Sequence, residues 1–289
     1  MTPALRQPMG LEPRTMSLNT VDFDYVRALV QKRSAIVLDS DKLYLAETRL
    51  HSLARKEGYA SLDALVAVVR GERDDGLSRK VVEAMTTNET SFFRDLQPFE
   101  ALRTTILPEI IRQRQAERSL KIWCAACATG QEPYSVAMLL REHFPFLLGW
   151  DVEILASDIA TEVLDRARAG RFSQLEVNRG LPARLLVKYF TKQGNVWQID
   201  EGVRRLVDFR PINLVGDWPA LPGFDVVFLR NVLIYFDLPT KKQIFGRIKR
   251  LLKPGSALLL GGAETTLNID DGYERVQLEK ATYYRTANR

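Results

Sequence analysis

Cysteine and histidine are almost missing from this 289-residue chain, which has two of each. Cys124 and Cys127 cannot frame a disulfide-rich secreted fold. Their C-x-x-C spacing has no second pair, and His51 and His143 lie far from it in sequence, which argues against a structural zinc. They are expected to be small buried thiols. Long apolar runs are missing too, since none approaches the roughly 18 residues of a membrane helix. The opening stretch, with Pro3, Pro8 and Pro13, lacks the apolar segment of a signal peptide. Nor is there a large excess of one charge: 41 Lys+Arg stand against 36 Asp+Glu, a net of +5. That is far from a nucleic-acid tail or a polybasic membrane anchor. Residues 1–95 hold 14 basic and 14 acidic side chains, so the whole excess lies in 96–289. What remains is a 46% apolar chain able to bury a substantial core. It is expected to be cytoplasmic, with no nucleic-acid partner and no insertion into a membrane.

Hydrophobic periodicity divides the chain. Residues 1–20 have none and are expected to be a flexible tail. Phe23, Val26, Leu29 and Val30 mark a first helix with Thr20 as its N-cap. Leu43, Ala46, Leu50 and Leu53 mark a second after Asp41. Ser61 caps a third, carrying Leu62, Leu65, Val66 and Val69, and a fourth spans about 76–84. No strand pattern interrupts them, so 21–95 reads as a helical domain, followed by a linker helix at 96–116. Beyond it, apolar runs at 120–125, 152–157, 204–209, 225–230 and 257–262 alternate with helical patterns at 133–143, 160–168 and 240–252. This is the signature of an α/β domain with a parallel, doubly wound sheet over 117–289. Residues 273–286 form an antiparallel hairpin closing it. The long connection at 171–203 is expected to be an inserted subdomain with strands of its own.

The residues able to carry chemistry sit at strand ends. The turn after the first strand, residues 125–130, is built of small side chains, which lets a ligand approach the backbone. Only Gly130 is glycine, so a dinucleotide-binding loop is poorly supported. Pro133 suits a first helical position and makes Glu132 the expected N-cap. Asp158 ends the second strand, where an acid can accept from a ribose diol or cap the next helix. Asn213 and Leu214 follow the third strand, either as an adenine rest or as a simple turn. Arg230 and Asn231 end the fourth strand, where open α/β sheets bind ligands. The tetrad there is Arg-Asn-Val-Leu, unlike the Asn-Pro-Pro-Tyr type expected of an enzyme that methylates base amino groups. Residues 86–95 are polar, then doubly aromatic, then ionic, and include Asn88, Thr90 and Arg94. Lys42, Arg49 and Lys56 repeat at heptad spacing along the second helix, with Arg55 beside them. The row is either a solvated flank or a docking surface for an acidic helix.

Taken together, TNETSFFRD (87–95), ACATGQEPYS (126–135), ASDI (156–159), INL (212–214) and FLRNVLIYFD (228–237) resemble the CheR-type chemotaxis receptor methyltransferases. The resemblance implies an all-α N-terminal domain before a class I S-adenosylmethionine-dependent methyltransferase fold with an inserted β-subdomain. It implies methyl transfer from S-adenosylmethionine to glutamate side chains on the cytoplasmic helices of chemoreceptors, leaving S-adenosylhomocysteine. By motif match, Asn88, Thr90, Arg94, Glu132, Asp158, Asn213, Leu214, Arg230 and Asn231 would line the cofactor site. Arg94 and Tyr235 would stand nearest the transferred methyl, and Lys42, Arg49 and Arg55 would dock the receptor. Three departures stand out. Gln131 replaces a family acid, and Ser52 and Leu53 replace basic residues. The turn at Gln193-Gly194-Asn195 is shorter than in members that dock a receptor's tether peptide, so no tether is expected. A monomer is expected. Two other readings share these residues: a small-molecule or RNA methyltransferase on the same fold, and a cofactor-binding regulatory module without turnover.

Overall fold

A computed structural model describes residues 17–71 and 75–287. The expected tail lies, as far as residue 16, outside the described residues. The chain divides into two compact units. One comprises residues up to Leu29 with Leu38–Met85, and the other comprises Val30–Val37 with the chain from Thr86 onward.

The first unit is helical: α1 (Thr20–Ser34, whose last turn belongs to the second unit), α2 (Leu43–Lys56), α3 (Leu62–Arg70) and α4 (Asp75–Met85). Asn19, not Thr20, caps α1. Its Oδ1 accepts the Asp22 N–H at 2.9 Å and its carbonyl the Phe23 N–H at 2.9 Å, while Thr20 is already helical. Ser61 caps α3 as expected, accepting from the Ala64 N–H at 3.2 Å. The stripes close on one another, burying Leu50, Leu65, Val66, Val81 and Met85. No strand occurs among the described residues of this unit.

The second unit opens on a helix built in three parts. α5 (Gln97–Ala101) and α6 (Leu107–Gln113) are joined by a π-turn, Leu102–Ile106. Pro108, in the first turn of α6, has no N–H and would press on the carbonyl four residues back. The widened turn accommodates it. Then follow β1 (Ser119–Ala125), α7 (Gln131–His143), β2 (Asp151–Asp158), α8 (Thr161–Ala169), β3 (Arg171–Ser173), α9 (Gln174–Asn178), α10 (Ala183–Tyr189), β4 (Phe190–Gln193), β5 (Val196–Ile199) and α11 (Glu201–Arg204). β6 (Val207–Pro211), β7 (Phe224–Leu229), α12 (Leu238–Leu251), β8 (Leu252–Leu260), β9 (Tyr273–Gln277) and β10 (Thr282–Thr286) complete it. The main sheet runs β6-β2-β1-β7-β8-β10-β9. β6 to β8 are parallel, and β10 and β9 are antiparallel. A second sheet, β3-β5-β4, forms the insertion.

Strand alternation feeds two cores. Ile122, Ile154, Val226 and Leu259 face α6, α7 and α8. Trp123, Leu155, Val227 and Leu258 face Ile244, Phe245 and Ile248 of α12. Side chains of one strand alternate between faces, so both layers of helices are held by the same five strands. One expected strand begins later than its apolar run. Arg204 and Arg205 do not start β6, because Asp200 caps α11, accepting from Gly202 N–H at 2.9 Å and Val203 N–H at 3.3 Å. β3 and β4, too short to show a period, had no sequence signal of their own.

Candidate functional site

The carboxyl ends of β1, β2, β6 and β7 surround a cavity of about 840 Å³, counted out to its open mouth. The turn after β1 shapes its floor. Ala126 and Ala128 hold φ of 56° and 48°, and Gly130 holds 91°. A left-handed alanine costs on the order of 1–3 kcal/mol, and such strain persists where the surroundings over-determine it. Here the Cys127 N–H is pinned to the Ser157 carbonyl at 2.9 Å and the Gly130 N–H to the Cys127 carbonyl at 3.0 Å. A Cβ on Gly130 would lie 3.0 Å from Ala167 Cβ, so glycine is required twice over. It also takes the N-cap position, which corrects the expectation for Glu132. Glu132 instead lies in the first turn of α7 and turns its carboxylate inward.

Asp158, 5% exposed, accepts from the Ala128 N–H at 2.9 Å through Oδ2 and from the Ala160 N–H at 3.0 Å through Oδ1. It therefore sets the shape of two turns. Asp158 also forms part of the cavity wall.

A charge chain centred on the buried Arg230 crosses the site. Arg230, whose side chain is 1% exposed, donates from Nη1 to Glu132 Oε2 at 2.9 Å. From Nη2 it donates to Asp95 Oδ2 at 2.7 Å and to the Arg94 carbonyl at 3.0 Å. Its Nε is buried without an acceptor. Burial pushes the Glu132 carboxyl above its usual range, against the opposing pull of Arg230. The cavity wall carries three carboxylates, Glu89, Glu132 and Asp158, against two guanidiniums, Arg94 and Arg230. Its net sign suits a ligand carrying positive charge.

The segment before α5 explains its odd composition. Phe92 is buried against Phe172 and Phe190, with ring centroids at 5.0 and 5.7 Å, and Phe93 packs on Phe99 at 5.2 Å. Between these anchors and α5 the backbone turns through positive φ at Phe93 (47°), Asp95 (66°) and Leu96 (36°). Arg94 is held toward the cavity, donating to the Glu89 carbonyl at 3.2 Å. Asp95, the neighbour of Arg94 in sequence, reaches Arg230 instead.

All ten cavity residues expected from the sequence (Asn88, Thr90, Arg94, Glu132, Asp158, Asn213, Leu214, Arg230, Asn231 and Tyr235) line this one space. Asn213 is also a turn residue. Its Nδ2 donates to the Arg33 carbonyl at 2.7 Å, and its Oδ1 accepts the Val215 N–H at 3.2 Å. Sequence reasoning missed Ser34, the last residue of α1, and Ile36 just beyond it. Nothing in their local pattern marks them, because only the tertiary fold brings them here. Cys124 and Cys127 are free and buried, and burial pushes both thiols well up. No group able to hold a metal occurs among the described residues, and no described helix is long and apolar enough to cross a membrane.

The expected docking residues lie on or beside α2 of the first unit. Lys42 is exposed and pairs with Asp41 at 3.1 Å, and Arg55 is exposed. Arg49 is half-buried, and its Nη1 donates to the Met85 carbonyl at 2.7 Å.

Comparison with known proteins follows the same division. The family model described as CheR methyltransferase, all-alpha domain, matches residues 21–86, and the CheR methyltransferase, SAM binding domain, matches 88–282. The chain is similar to chemotaxis protein methyltransferase 1 of Pseudomonas aeruginosa, with 42% identity over 93% of this chain and 99% of that protein. It is similar to chemotaxis protein methyltransferase Cher2 of Pseudomonas putida at 39%, with the same coverage. Chemotaxis protein methyltransferase 1 of Vibrio cholerae is 39% identical over 91% of this chain and 95% of that protein. Among solved structures, the glycopeptide N-methyltransferase MtfA complexed with S-adenosyl-L-methionine matches at 14% identity and TM-score 0.36, over 69% of this chain and 58% of that one.

Proposed function

This chain belongs to the CheR family of S-adenosylmethionine-dependent methyltransferases, and from that premise we propose that its acceptor is a glutamate side chain on the cytoplasmic helices of a chemoreceptor. It is a chemotaxis protein methyltransferase by family, with an all-α domain before a class I methyltransferase fold. The products of the proposed reaction are a glutamyl methyl ester and S-adenosylhomocysteine.

One observation carries the reading: five separated sequence stretches converge on a single acidic cavity at the carboxyl edge of the sheet. S-adenosylmethionine supplies a methyl group already activated on its sulfonium. A glutamate acceptor is ionised at neutral pH and needs no general base. The chain's own work is therefore positioning and exclusion of water. Asp158, in the cavity wall at the end of β2, would accept from the ribose hydroxyls. Glu132 would place negative charge opposite the ammonium group, and Asn213 and Leu214 would flank the adenine. Arg230 holds Glu132, the Arg94 carbonyl and the Asp95 carboxylate together, so that Arg94 faces the reacting end with Tyr235. Beside Tyr235, Ile234 and Leu238 are exposed apolar side chains suited to a helical substrate.

Lys42, Arg49 and Arg55 supply the positive face for an acidic receptor helix. Because Arg49 also braces Met85, Arg55→Glu is the cleaner test. It should lower receptor methylation about tenfold, the worth of one good charge contact, with cofactor affinity intact; unchanged methylation would return α2 to a solvated flank. The insertion's hairpin turns on Gly194 and Asn195 alone, which supports action without a tether. Micromolar binding of a tether-type peptide in calorimetry would overturn that part.

The decisive experiment incubates the protein with methyl-labelled S-adenosylmethionine and membranes carrying the host's chemoreceptors. Label on receptor bands that alkali releases as methanol is the expected result. Bound S-adenosylhomocysteine without such label would reject the glutamate acceptor.

A further inference from the structure

One carboxylate outside the cavity takes four backbone N–H groups. Glu264 Oε1 accepts from Val232 at 2.9 Å and Leu233 at 2.7 Å. Its Oε2 accepts from Asn231 at 2.8 Å and Gly261 at 2.7 Å. Asn231–Leu233 follow β7 and Gly261 follows β8, so this side chain fastens together the loops at the carboxyl ends of two neighbouring parallel strands. Neither loop has ladder hydrogen bonds there. Without Glu264 the donors of three consecutive residues would lack partners within the protein, a cost that buried backbone rarely bears.

Two further observations show how tightly the arrangement is set. Asn231 is held at φ 58°, a left-handed conformation that needs outside support. A Cβ on Gly261 would come within 2.7 Å of Glu264 Oε2, 2.8 Å of Asn231 Nδ2 and 2.9 Å of Asn231 N. The glycine is required by the carboxylate's position and by nothing in its own φ. The fastened loop carries Asn231 into the cavity wall and leads directly into the short helical turn Leu233–Tyr235, which presents Tyr235.

We propose that Glu264 is a positioning residue: by accepting the N–H groups of Asn231, Val232, Leu233 and Gly261, it sets where Asn231 and Tyr235 stand at the reacting end of the site. The role of Asn231 and Tyr235 rests on the function proposed above. An ionised carboxylate is the one side chain that fits, being acceptor-only with about four lone-pair sites, all of them used here. An amide of the same shape would turn an NH₂ group on two of the four donors.

The test uses the full chain and Glu264→Gln, with amide hydrogen exchange read by mass spectrometry in the absence of any ligand. Peptides covering 231–236 and 261 should exchange at least about tenfold faster, while those of β1 and α12 stay unchanged. S-adenosylhomocysteine affinity should fall about tenfold. Because a misplacement of about 1 Å can cost 100-fold, kcat on receptor membranes should fall by about that factor. Gly261→Ala, which displaces the carboxylate from the other side, should give the same pattern. Unchanged exchange at 231–236, or faster exchange with affinity and kcat intact, would overturn the proposal. So would loss of protection throughout both variants, which would make Glu264 a staple of the fold. Should the wild-type protein methylate no glutamate, the acceptor assignment fails alone, and hydrogen exchange together with S-adenosylhomocysteine affinity still decides on Glu264.

Discussion

The two edges of the main sheet use the same chemistry to opposite ends, and β7 shows both. Near its start, Asp225 is fully buried and accepts from Arg114 Nε at 2.8 Å, Lys121 N–H at 2.8 Å and Lys253 Nζ at 2.9 Å. Arg114 also donates to the Pro254 carbonyl at 2.7 Å. Past its end, Arg230 meets Glu132 and Asp95, yet keeps a buried Nε without an acceptor. At the amino edge, acid and cations fill one another and tie α6 to the sheet. At the carboxyl edge, the Nε of Arg230 stays unpartnered beside a cavity. Backbone strain follows the same line. Among the described non-glycine residues with positive φ, Phe93, Asp95, Leu96, Ala126, Ala128 and Asn231 all lie in segments that line or adjoin the cavity. Strain gathered beside a cavity, more than buried charge or an unpartnered atom, distinguishes the carboxyl edge, since Ser256 Oγ in β8 is also buried without a partner.

That contrast can be broken most strongly at Asp225. Asp225→Asn strands two cations around a buried amide and should cost about 3 kcal/mol of stability. The denaturant midpoint should drop while S-adenosylhomocysteine affinity per folded molecule stays the same. A fall in affinity would mean that the two edges are not separable. At the other edge, Asp158→Ala should reduce that affinity about 100-fold if the carboxylate accepts from two ribose hydroxyls, while the lost N–H bonds at Ala128 and Ala160 cost about 1–2 kcal/mol. Unchanged affinity would place Asp158 with Asp225, as a brace only.

The smallest effect concerns Glu132, whose carboxyl burial holds above its ordinary value of 4.5. The unfolded chain gives up this proton at lower pH than the folded one. Between 4.5 and the raised folded value the folded state binds more protons, so this group's contribution to stability declines as pH rises. Glu132→Gln has no proton to lose. The melting temperature of the wild type relative to the variant should therefore decrease with rising pH through that window. A flat difference would show that Glu132 titrates alike folded and unfolded, and that its burial carries no electrostatic penalty.

Much of this was legible in residue order because the signals were local. Period 3.6 in α2 and α3, apolar runs in β1, β2 and β7, and the small residues at 125–130 each depend on neighbours a few positions away. Motif resemblance then named ten residues that share one cavity. Other features were not legible, for identifiable reasons. Asn19 and Gly130 took the cap positions expected of Thr20 and Glu132, because the cap depends on which residue first leaves helical φ and ψ. β3 and β4 are three and four residues long, too short for alternation to register. The docking residues were visible as a basic row, but the bond of Arg49 to Met85 was not.

Sequence by itself determined the division into helices and alternating strands, the placing of acids and guanidiniums at strand ends, and the family. Tertiary structure alone decided that Asp95 pairs with Arg230 across 135 positions while Arg94, beside it, faces the cavity. It also decided that Glu264 gathers N–H groups from two loops, and that Ser34 and Ile36 join the wall. These contacts join residues distant along the chain, and their partners are chosen by which strand ends the sheet order brings side by side, a choice that no local pattern encodes.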